Sequence, residues 1–254
     1  MTSMIGGVEY IPGSYGQERR SAAELADRYI REWDERRLQA KVEKRTFPAI
    51  CFSRKIGVGA LEIADLVAPE LGYRVADREL LEHIAREAGL SEKTVSLFDE
   101  RYRGRVNELL AMAFGEKSFI KSDYTRHLFG TAIAMSGLEP TIFVGRGIHL
   151  ILPRDQVLAV RFICSDGHRA KRLSRILGVM EKYVTDDLAK IDREQRDFFR
   201  SVYGKKEASP YEFDLVIHCD HLREPGWAAR IVVQAFQDKF GSFEKAAQPA
   251  RAVS

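Results

Sequence analysis

The sequence predicts an α/β fold, with a parallel sheet of about five strands, helices on both faces and a helical extension at the N-terminus. Three observations support this prediction. Short apolar runs alternate with longer segments of helical periodicity. Continuous apolar runs are typical of parallel strands that are buried on both faces. Of the 254 residues, 45% are hydrophobic, which is enough to form a large core.

The composition excludes several classes of partner and compartment. The 40 lysines and arginines against 37 acidic residues leave a net charge of +3, which gives no reason to expect a nucleic-acid partner. No apolar stretch is long enough to span a membrane and no signal-peptide pattern begins the chain, so we expect a cytoplasmic protein without a membrane partner. Three cysteines without metal-ligand spacing predict buried thiols, and no metal ligand is assigned.

Residues 1–46 are predicted to form an arm and an amphipathic helix. Glycine and proline are frequent in residues 1–20, which we expect to be a mobile or loosely docked arm. Ser21 and Glu24 form a capping box, so a helix should begin there. Its apolar face includes Tyr29 and Trp33. We expect this face to pack on the chain's own domain, with a homodimer contact as the alternative.

The main domain is expected over residues 47–240 and is followed by a frayed tail, residues 241–254. Its predicted strands are residues 47–53, 73–75, 141–144, 157–164 and 213–219. Its predicted helices are residues 61–71, 79–88, 91–99, 103–114, 123–135, 167–177, 186–203 and 225–240. A glycine turn precedes the first of these helices, and Asp77 can cap the second.

A glycine-containing loop connects the first strand of the main domain to a helix. Ligands bind at the carboxyl ends of parallel strands, which is where this loop lies. Gly57 and Gly59 allow backbone N–H groups to approach an anion, and the helix N-terminus adds positive charge. Neither the Walker pattern nor GxGxxG is present. Taken alone, the loop fits a phosphate site and a structural turn equally well.

Arginines occupy several further positions where an anion could bind. Arg146 stands between two glycines after the strand at 141–144, where it can reach a phosphate or be a surface residue in a tight turn. Two predicted helices each carry a charged stripe along one face. The first stripe comprises Arg169, Arg172 and Arg175, and the second comprises Arg193, Arg196, Asp197 and Arg200. A charged stripe is often only a solvated face. Here, however, the two helices flank a short loop at residues 178–183, as a phosphate-clamping lid requires.

Together these segments resemble the cytidylate kinase-like family of P-loop nucleoside monophosphate kinases. The resemblance extends over residues 47–240, and it is carried by Ser53-Arg-x-x-Gly-x-Gly, Asp77-x-Glu-Leu-Leu, Gly89-Leu-Ser, Phe98-Asp-Glu, Val144-Gly-Arg-Gly and Arg169-Ala-Lys-Arg-Leu. It implies a P-loop kinase-type sheet. It also implies transfer of the γ-phosphoryl group of ATP, with Mg²⁺, to a small nucleotide or phosphate acceptor.

The resemblance also implies roles for the matched residues. The donor nucleotide would contact Ser53, Arg54, Gly57, Val58, Gly59, Ala60 and Leu61. The acceptor would contact Asp77, Arg146, Arg193, Asp197 and Arg200. Arg169 and Arg172 would act as catalytic lid residues that close over the phosphoryl group. Asp77 and Asp197 would fix acceptor hydroxyls or help to hold metal-bound water.

The sequence departs from the family pattern at three positions. Ala60 stands at the position of the Walker lysine, Leu61 replaces an arginine, and Gly147 replaces the aspartate that reads cytosine. Lys55 is our hypothetical replacement for the missing cation, with a catalytic role. The departures leave one alternative function, a catalytically weak nucleotide-binding sensor or scaffold. A dinucleotide oxidoreductase is disfavoured because no recognisable fingerprint is completed by an acidic residue.

Overall fold

Seven strands and nine helices are present in the part of the chain that the structure, a computed structural model, describes: residues 3–10, 20–39, 47–99, 105–114, 123–206, 208–222 and 224–241. The strands are β1 (Ser3–Ile5), β2 (Val8–Tyr10), β3 (Ala49–Ser53), β4 (Arg74–Asp77), β5 (Thr141–Val144), β6 (Val157–Ile163) and β7 (Leu215–His218). The helices are α1 (Ala22–Gln39), α2 (Ala60–Leu71), α3 (Arg78–Arg86), α4 (Ala88–Asp99), α5 (Arg105–Phe114), α6 (Asp123–Leu138), α7 (Asp166–Leu177), α8 (Glu181–Tyr203) and α9 (Pro225–Phe240). Short 3-10 turns lie at Ile148–Leu150, Arg154–Gln156 and Pro210–Glu212.

Five of the strands form one parallel sheet in the order β4-β5-β3-β6-β7. The central strand β3 pairs with β5 on one side and with β6 on the other, both in parallel. All of its residues are buried, as its apolar sequence predicts. The fold class predicted from the sequence is therefore confirmed, and the carboxyl end of β3 lies in the middle of the edge where ligands bind in such sheets.

Helices cover both faces of this sheet. On one face, α3, α4, α5 and α6 enclose an apolar cluster around Phe129 and Phe143. On the other face, α2 and α9 pack together over Phe52, Val160 and Phe236. Because each face has its own buried cluster, the sheet is held rigidly between two helical layers, and the loops at its edge are supported from both sides.

The N-terminal helix α1 packs on the chain's own domain. The predicted capping box is present, since the Ser21 backbone N–H donates to Glu24 Oε2 at 2.9 Å and the Glu24 backbone N–H donates to Ser21 Oγ at 3.2 Å. Tyr29 and Trp33 are buried within the cluster that contains α3 and α4. The apolar face that suggested a homodimer contact is therefore already covered within one chain.

The first strands form a two-stranded antiparallel hairpin, here called the N-terminal hairpin, which runs from Ser3 to Tyr10. Ile5 is fully buried against α7 and α8. The expectation of a mobile or loosely docked arm is thus wrong for these residues, because the buried side chain of Ile5 fixes the hairpin to α7 and α8. Residues 11–19 of the arm and 242–254 of the tail lie outside the described residues.

Among the described helices, none is long and apolar enough to cross a membrane.

Candidate functional site

The loop between β3 and α2 has the backbone geometry of an anion site. Gly57 and Gly59 both have a φ of 90°, a left-handed conformation that glycine adopts without steric cost. Helix α2 begins at Ala60, and no described side chain caps its first turn. The uncapped N–H groups and the helix dipole therefore remain available to a negatively charged ligand.

Helix α7 lies directly on this loop, so the two glycines are needed for close packing as well. A Cβ atom on Gly57 would lie 2.9 Å from Leu173 Cδ1, which is too close for a carbon–carbon contact. A Cβ atom on Gly59 would lie 3.3 Å from Arg172 Nε. The side chain of Arg172 is thus held directly above the loop backbone, where the phosphates of a bound ligand would lie.

One cavity, the Gly59 cavity, opens between the loop, the start of α2, helix α7 and the segment after β7. Its volume is about 820 Å³. Helix α7 contributes three cationic side chains to the cavity wall, Lys171, Arg172 and Arg175. Three carboxylates also line the cavity, and they belong to Glu62, Asp220 and Glu224. Arg172 Nη2 lies 2.5 Å from Glu62 Oε2, so this arginine is oriented toward the first turn of α2. The catalytic role of Arg172 in a lid stays a prediction.

Arg169, one helical turn before Arg172, is buried and tied into the protein. Its two terminal nitrogens donate to both carboxylate oxygens of Asp192 at 2.7 and 2.8 Å, and its Nε donates to the Ile56 carbonyl at 2.7 Å. Burial raises the pKa of Asp192, but the hydrogen bonds and charge of Arg169 lower it overall. Arg169 thus connects α7, α8 and the loop, and its predicted catalytic role stays a prediction.

Lys55 belongs to the same group of ion-paired residues as Arg169 and Asp192. Its Nζ lies 3.0 Å from Asp192 Oδ2. It lines neither the Gly59 cavity nor the second cavity described next. Its charge therefore lies beside a buried carboxylate that Arg169 also binds, and the hypothesis that Lys55 replaces the Walker lysine stays a prediction.

A second cavity, the Arg146 cavity, lies on the other side of the loop and has a volume of about 560 Å³. Its walls come from the loop, helix α3, the turn after β5, the inner face of α8 and the N-terminal hairpin. Five of its lining residues carry a positive charge and three a negative one: Arg54, Arg78, Arg86, Arg146 and Lys190, and then Glu82, Asp187 and Glu194. The cavity is thus suited to an anionic ligand.

Arg146 occupies an unusual backbone position in this cavity. Its φ of 58° is left-handed, and the glycines on either side share that conformation. The guanidinium carbon lies 4.1 Å above the ring of Phe198, and the Tyr203 hydroxyl donates to the Arg146 carbonyl at 2.6 Å. A left-handed backbone is rare for arginine, and here both the side chain and the carbonyl of Arg146 are held by α8. Such a conformation is typical of a functional position.

Charge in the Arg146 cavity converges on one buried carboxylate, Glu82. It forms ion pairs with Arg78, Arg86 and Arg146. Burial, followed by the neighbouring charges of Arg78 and Arg54, lowers the pKa of Arg146 to about 9. Arg146 Nε is buried without a hydrogen-bond partner in the described structure. Positive charge therefore exceeds what Glu82 can neutralise, and a bound anion would relieve the repulsion.

The amino-acid sequence matches the Cytidylate kinase-like family over residues 49–221, which is more than half of the chain. The chain belongs to the cytidylate kinase-like family. A solved structure of an uncharacterized protein from Eubacterium ventriosum shares the fold, with a TM-score of 0.58, 17% identity, and coverage of 76% of this chain and 99% of that one. Shikimate kinase from Bacteroides thetaiotaomicron aligns with a TM-score of 0.37 at 15% identity over 75% of this chain and 96% of that one. No curated protein sequence gave a match.

Arg54 and Gly147, two positions of the family motifs, lie in and next to the Arg146 cavity, respectively. Arg54, predicted to hold the donor, lines this cavity, and its carbonyl accepts a hydrogen bond from Gln195 Nε2 at 2.9 Å. At Gly147, where the family pattern has aspartate, a Cβ atom would lie 2.8 Å from Tyr203 Cε2. The ring of Tyr203 therefore fills the space that a side chain at this position would occupy.

Other matched positions serve the fold. The Ser53 hydroxyl accepts a hydrogen bond from Arg161 Nη1 at 2.6 Å, so it is engaged in the core. Asp77 caps α3, as predicted, by accepting from the Leu80 backbone N–H at 2.9 Å. The remaining loop residues, Val58, Ala60 and Leu61, pack beside the sheet, and Val58 also lines the Gly59 cavity. Asp77 lines neither cavity, so its predicted contact with the acceptor stays a prediction.

The predicted acceptor stripe on α8 lies on the face of the helix that points away from the Arg146 cavity. Arg193, Asp197 and Arg200 are all exposed, and none of them lines the Arg146 cavity. The orientation of α8 is set by its buried residues Val184, Leu188, Ile191 and Asp192. The cavity is instead lined by residues adjacent to that buried face: Asp187, Lys190, Glu194, Gln195, Phe198 and Phe199. Arg193, Asp197 and Arg200 therefore lie on the face of α8 opposite the cavity, and their predicted contacts with an acceptor stay a prediction.

Helix α3 supplies residues that the sequence analysis missed. Arg78, Glu82 and Arg86 recur every four residues, immediately after the strand β4 ends. This spacing places the three side chains on one helical face, at the edge of the sheet where ligands bind. The signal was therefore present in the sequence, as an alternating charge pattern that is common on solvated helices.

Proposed function

We propose that this kinase-like protein transfers the γ-phosphoryl group of ATP to a small acceptor that carries a phosphate, such as a nucleoside monophosphate. One observation carries the proposal: an arginine-rich cavity and a glycine-loop cavity lie on opposite sides of a single loop at the carboxyl end of the central strand. Phosphoryl transfer needs two anions held side by side, with their charges neutralised. Membership of the cytidylate kinase-like family supports the same activity.

The Gly59 cavity is the proposed donor site. The N–H groups at the start of α2 would bind phosphate oxygens of ATP, and Gly59 keeps the backbone accessible. Arg172 would neutralise charge on the transferring group, since its guanidinium lies over Gly59. The rest of the nucleotide would occupy the space between α7 and the segment after β7 that includes Asp220 and Leu222.

The Arg146 cavity is the proposed acceptor site. Arg54, Arg78 and Arg146 would bind the acceptor phosphate, and Phe198 and Phe199 offer apolar surface to the rest of the molecule. Because Tyr203 fills the space beside Gly147, the cytosine-reading contact of the family pattern is absent at this position. The acceptor should therefore be selected by its phosphate more than by its base.

Mg²⁺ fits this site as a partner of the nucleotide. In phosphotransfer enzymes it keeps several waters and is bound by one or two carboxylates and by substrate phosphates. No cluster of three or more His, Cys, Asp or Glu side chains within the described residues could hold a metal ion by itself. Glu62, Asp220 and Glu224 line the Gly59 cavity and could hold metal-bound water. When bound, the ion would neutralise charge on the donor phosphates.

The chemistry asks little more of the protein than positioning. A phosphate acceptor is already ionised, so its oxygen can attack the γ-phosphorus without a general base. Arg172 and Arg146 approach the loop from its two sides, so they would hold donor and acceptor in line. Arg169 and Asp192 would keep α7 and α8 in place and so exclude water from the transferring group.

A second candidate function is a nucleotide-binding sensor. The observation that favours it is the charge distribution around the loop, because Lys55 is paired with Asp192 and position 60 is alanine. Among the described residues, the lysine and arginine side chains that line the Gly59 cavity all come from one helix, α7. A protein with this arrangement could bind ATP and turn it over slowly.

The test is calorimetric titration with ATP·Mg²⁺, followed by measurement of ADP release in the presence of CMP, dCMP, UMP or AMP. Acceptor-dependent ADP release supports phosphotransfer. For the best acceptor, we expect Arg146→Gln to lower kcat/KM roughly a hundredfold, because one charged contact and its positioning are lost. The KM for ATP should stay within about twofold, since Arg146 lies outside the Gly59 cavity.

Arg196→Gln is the matched control, because Arg196 is an exposed arginine on α8. It should leave both constants unchanged. ATP binding without ADP release for every acceptor would favour the sensor. No binding of ATP at all would contradict both functions.

A further inference from the structure

The N-terminal hairpin lies outside the family-matched segment, yet it contacts the proposed site. The match begins at residue 49, whereas the hairpin ends at Tyr10. We propose that the hairpin is a clamp that holds α7 and α8 on the phosphate loop, with Ile5 as its positioning residue and Met4 as part of the acceptor wall. The effect on the reaction rests on the proposed function, whereas the clamping itself does not.

Ile5 joins three parts of the site through apolar contacts. It is completely buried in a small cluster that contains Ile56 of the loop, Leu173 of α7 and Leu188 of α8. This cluster is separate from the two that cover the sheet. Moving either lid helix away from the loop would expose these side chains to water, so the hairpin opposes opening of the lid.

The turn of the hairpin is fitted to the lid as well. The Gly6 backbone N–H donates to Asp187 Oδ2 of α8 at 2.7 Å. Gly6 has a φ of 59°, and a Cβ atom on it would lie 2.9 Å from Val179 Cγ2, between α7 and α8. The contact therefore requires glycine, both for its backbone conformation and for the short distance to the lid.

Both strands of the hairpin reach the cations of the site. Met4, which is 55% exposed, lines the Arg146 cavity together with Arg54. Tyr10 packs on the cluster around Ile5. Burial raises the pKa of the Tyr10 hydroxyl, whereas Arg54 and Arg172, one from each cavity, lower it. The hairpin thus lines the Arg146 cavity through Met4, and Tyr10 packs on the cluster that joins the loop to α7 and α8.

The hairpin and the lid should stabilise each other. An isolated two-stranded hairpin is marginally stable in water, so its structure depends on its docking surface. That surface combines the loop with α7 and α8, and it exists only while the three are together. A ligand that closes the lid should therefore also hold the hairpin, and loss of the hairpin should weaken ligand binding by the same factor.

Hydrogen–deuterium exchange of the full-length chain tests the clamp without reference to activity. Ile5→Ser should raise exchange roughly tenfold in residues 178–191, because the apolar contact that docks the hairpin is lost. Val8→Ser is the matched control, since Val8 is in the same hairpin but 41% exposed, and it should change nothing there. Protection of β3 and β5 reports whether the core remains folded.

If Ile5→Ser does not fold, Asp187→Ala provides a second variant for the exchange measurement, because it removes the acceptor of the Gly6 hydrogen bond and keeps Ile5 in place. We expect a smaller increase, about threefold, in the same segment. Unchanged exchange in residues 178–191 for a folded Ile5→Ser, or for Asp187→Ala when it alone folds, would overturn the clamp. A rise of equal size throughout the chain would also overturn it.

Kinetics then tests the positioning role. With the nucleoside monophosphate that gives the highest rate, Ile5→Ser should raise the KM for that acceptor about tenfold and leave the KM for ATP within about twofold. The conservative variant Ile5→Val should retain the wild-type KM values for the acceptor and for ATP. If both KM values change equally, Ile5 has only a structural role. If no acceptor supports turnover but the exchange result holds, the proposed function fails while the clamp stands.

Discussion

The two cavities beside the loop between β3 and α2 differ in the groups that they would offer to a ligand. The Gly59 cavity relies on backbone, because two left-handed glycines and an uncapped helix present N–H groups to the ligand. The Arg146 cavity relies on side chains, because arginines from the loop, α3 and the turn after β5 line it, and Arg78, Arg86 and Arg146 form ion pairs with Glu82. Each cavity lies on one side of the same loop.

This difference indicates how the chain could lack the Walker lysine and still have the proposed donor site. A backbone site depends on conformation, so substitution of side chains such as Ala60 and Leu61 leaves its N–H groups in place. A side-chain site depends on each charge, and each can change to suit another acceptor. Specificity should therefore reside in the Arg146 cavity, whereas the Gly59 cavity should be general for nucleotide triphosphates.

The largest effect is expected from the ion pair that supports both cavities. Arg169→Met leaves Asp192 buried with only Lys55 for compensation, and it frees the Ile56 carbonyl. Breaking a buried pair in this way costs about 3–5 kcal/mol of unfolding free energy. Urea denaturation measures this loss, and both cavities should lose affinity together.

Arg172→Met is the matched control, one helical turn away on the same helix. Its partner Glu62 is partly exposed and can be solvated, so the loss of stability should be about 1 kcal/mol or less. Only the donor side should lose affinity. Equal destabilisation by the two variants would contradict the distinction between a positioning and a cavity arginine.

The sequence could not separate these two arginines. Residues three apart share a helical face, so Arg169 and Arg172 have equivalent positions in the pattern. Which one is buried depends on Asp192 of α8 and on the Ile56 carbonyl, both distant in sequence. Long-range partners of this kind leave no local signal.

The fold itself could be predicted because its signals are local. The central strands β3, β5 and β6 are largely apolar runs, and Asp77 and Ser21 cap the helices that they were expected to begin. The N-terminal hairpin has no such signal, because two three-residue strands are too short for a periodic pattern and are held by Ile5 in a distant cluster. The face of α8 was missed for a similar reason, since charged residues occur on both of its sides.

An intermediate effect is expected at the backbone site. Gly59→Ala would strain a residue with a φ of 90° and would press on Arg172. A non-glycine residue in this conformation costs about 1–3 kcal/mol, and relaxation of the loop would move its N–H groups. We expect ATP affinity to fall roughly tenfold, as measured by calorimetry, with little change at the Arg146 cavity.

Gly178→Ala separates strain from site geometry. Gly178 has a φ of 67°, and a Cβ atom there would meet nothing within 4 Å. It should therefore lose a similar free energy of unfolding and keep its affinity for ATP. If Gly178→Ala also weakened ATP binding tenfold, strain alone would explain the result, and the loop would not be assigned as a backbone site.

The smallest effect is expected on the outer face of α8, and it sharpens the comparison most directly. Arg193→Ala and Arg200→Ala remove exposed charges, so the KM for the acceptor should stay within about twofold in a steady-state assay. Lys190→Ala on the inner face should raise that KM several-fold, because Lys190 lines the Arg146 cavity. The opposite order would mean that α8 rotates when the acceptor binds, bringing its arginine stripe inward. In that case the side-chain site would be completed by the ligand, whereas the backbone site would remain preformed.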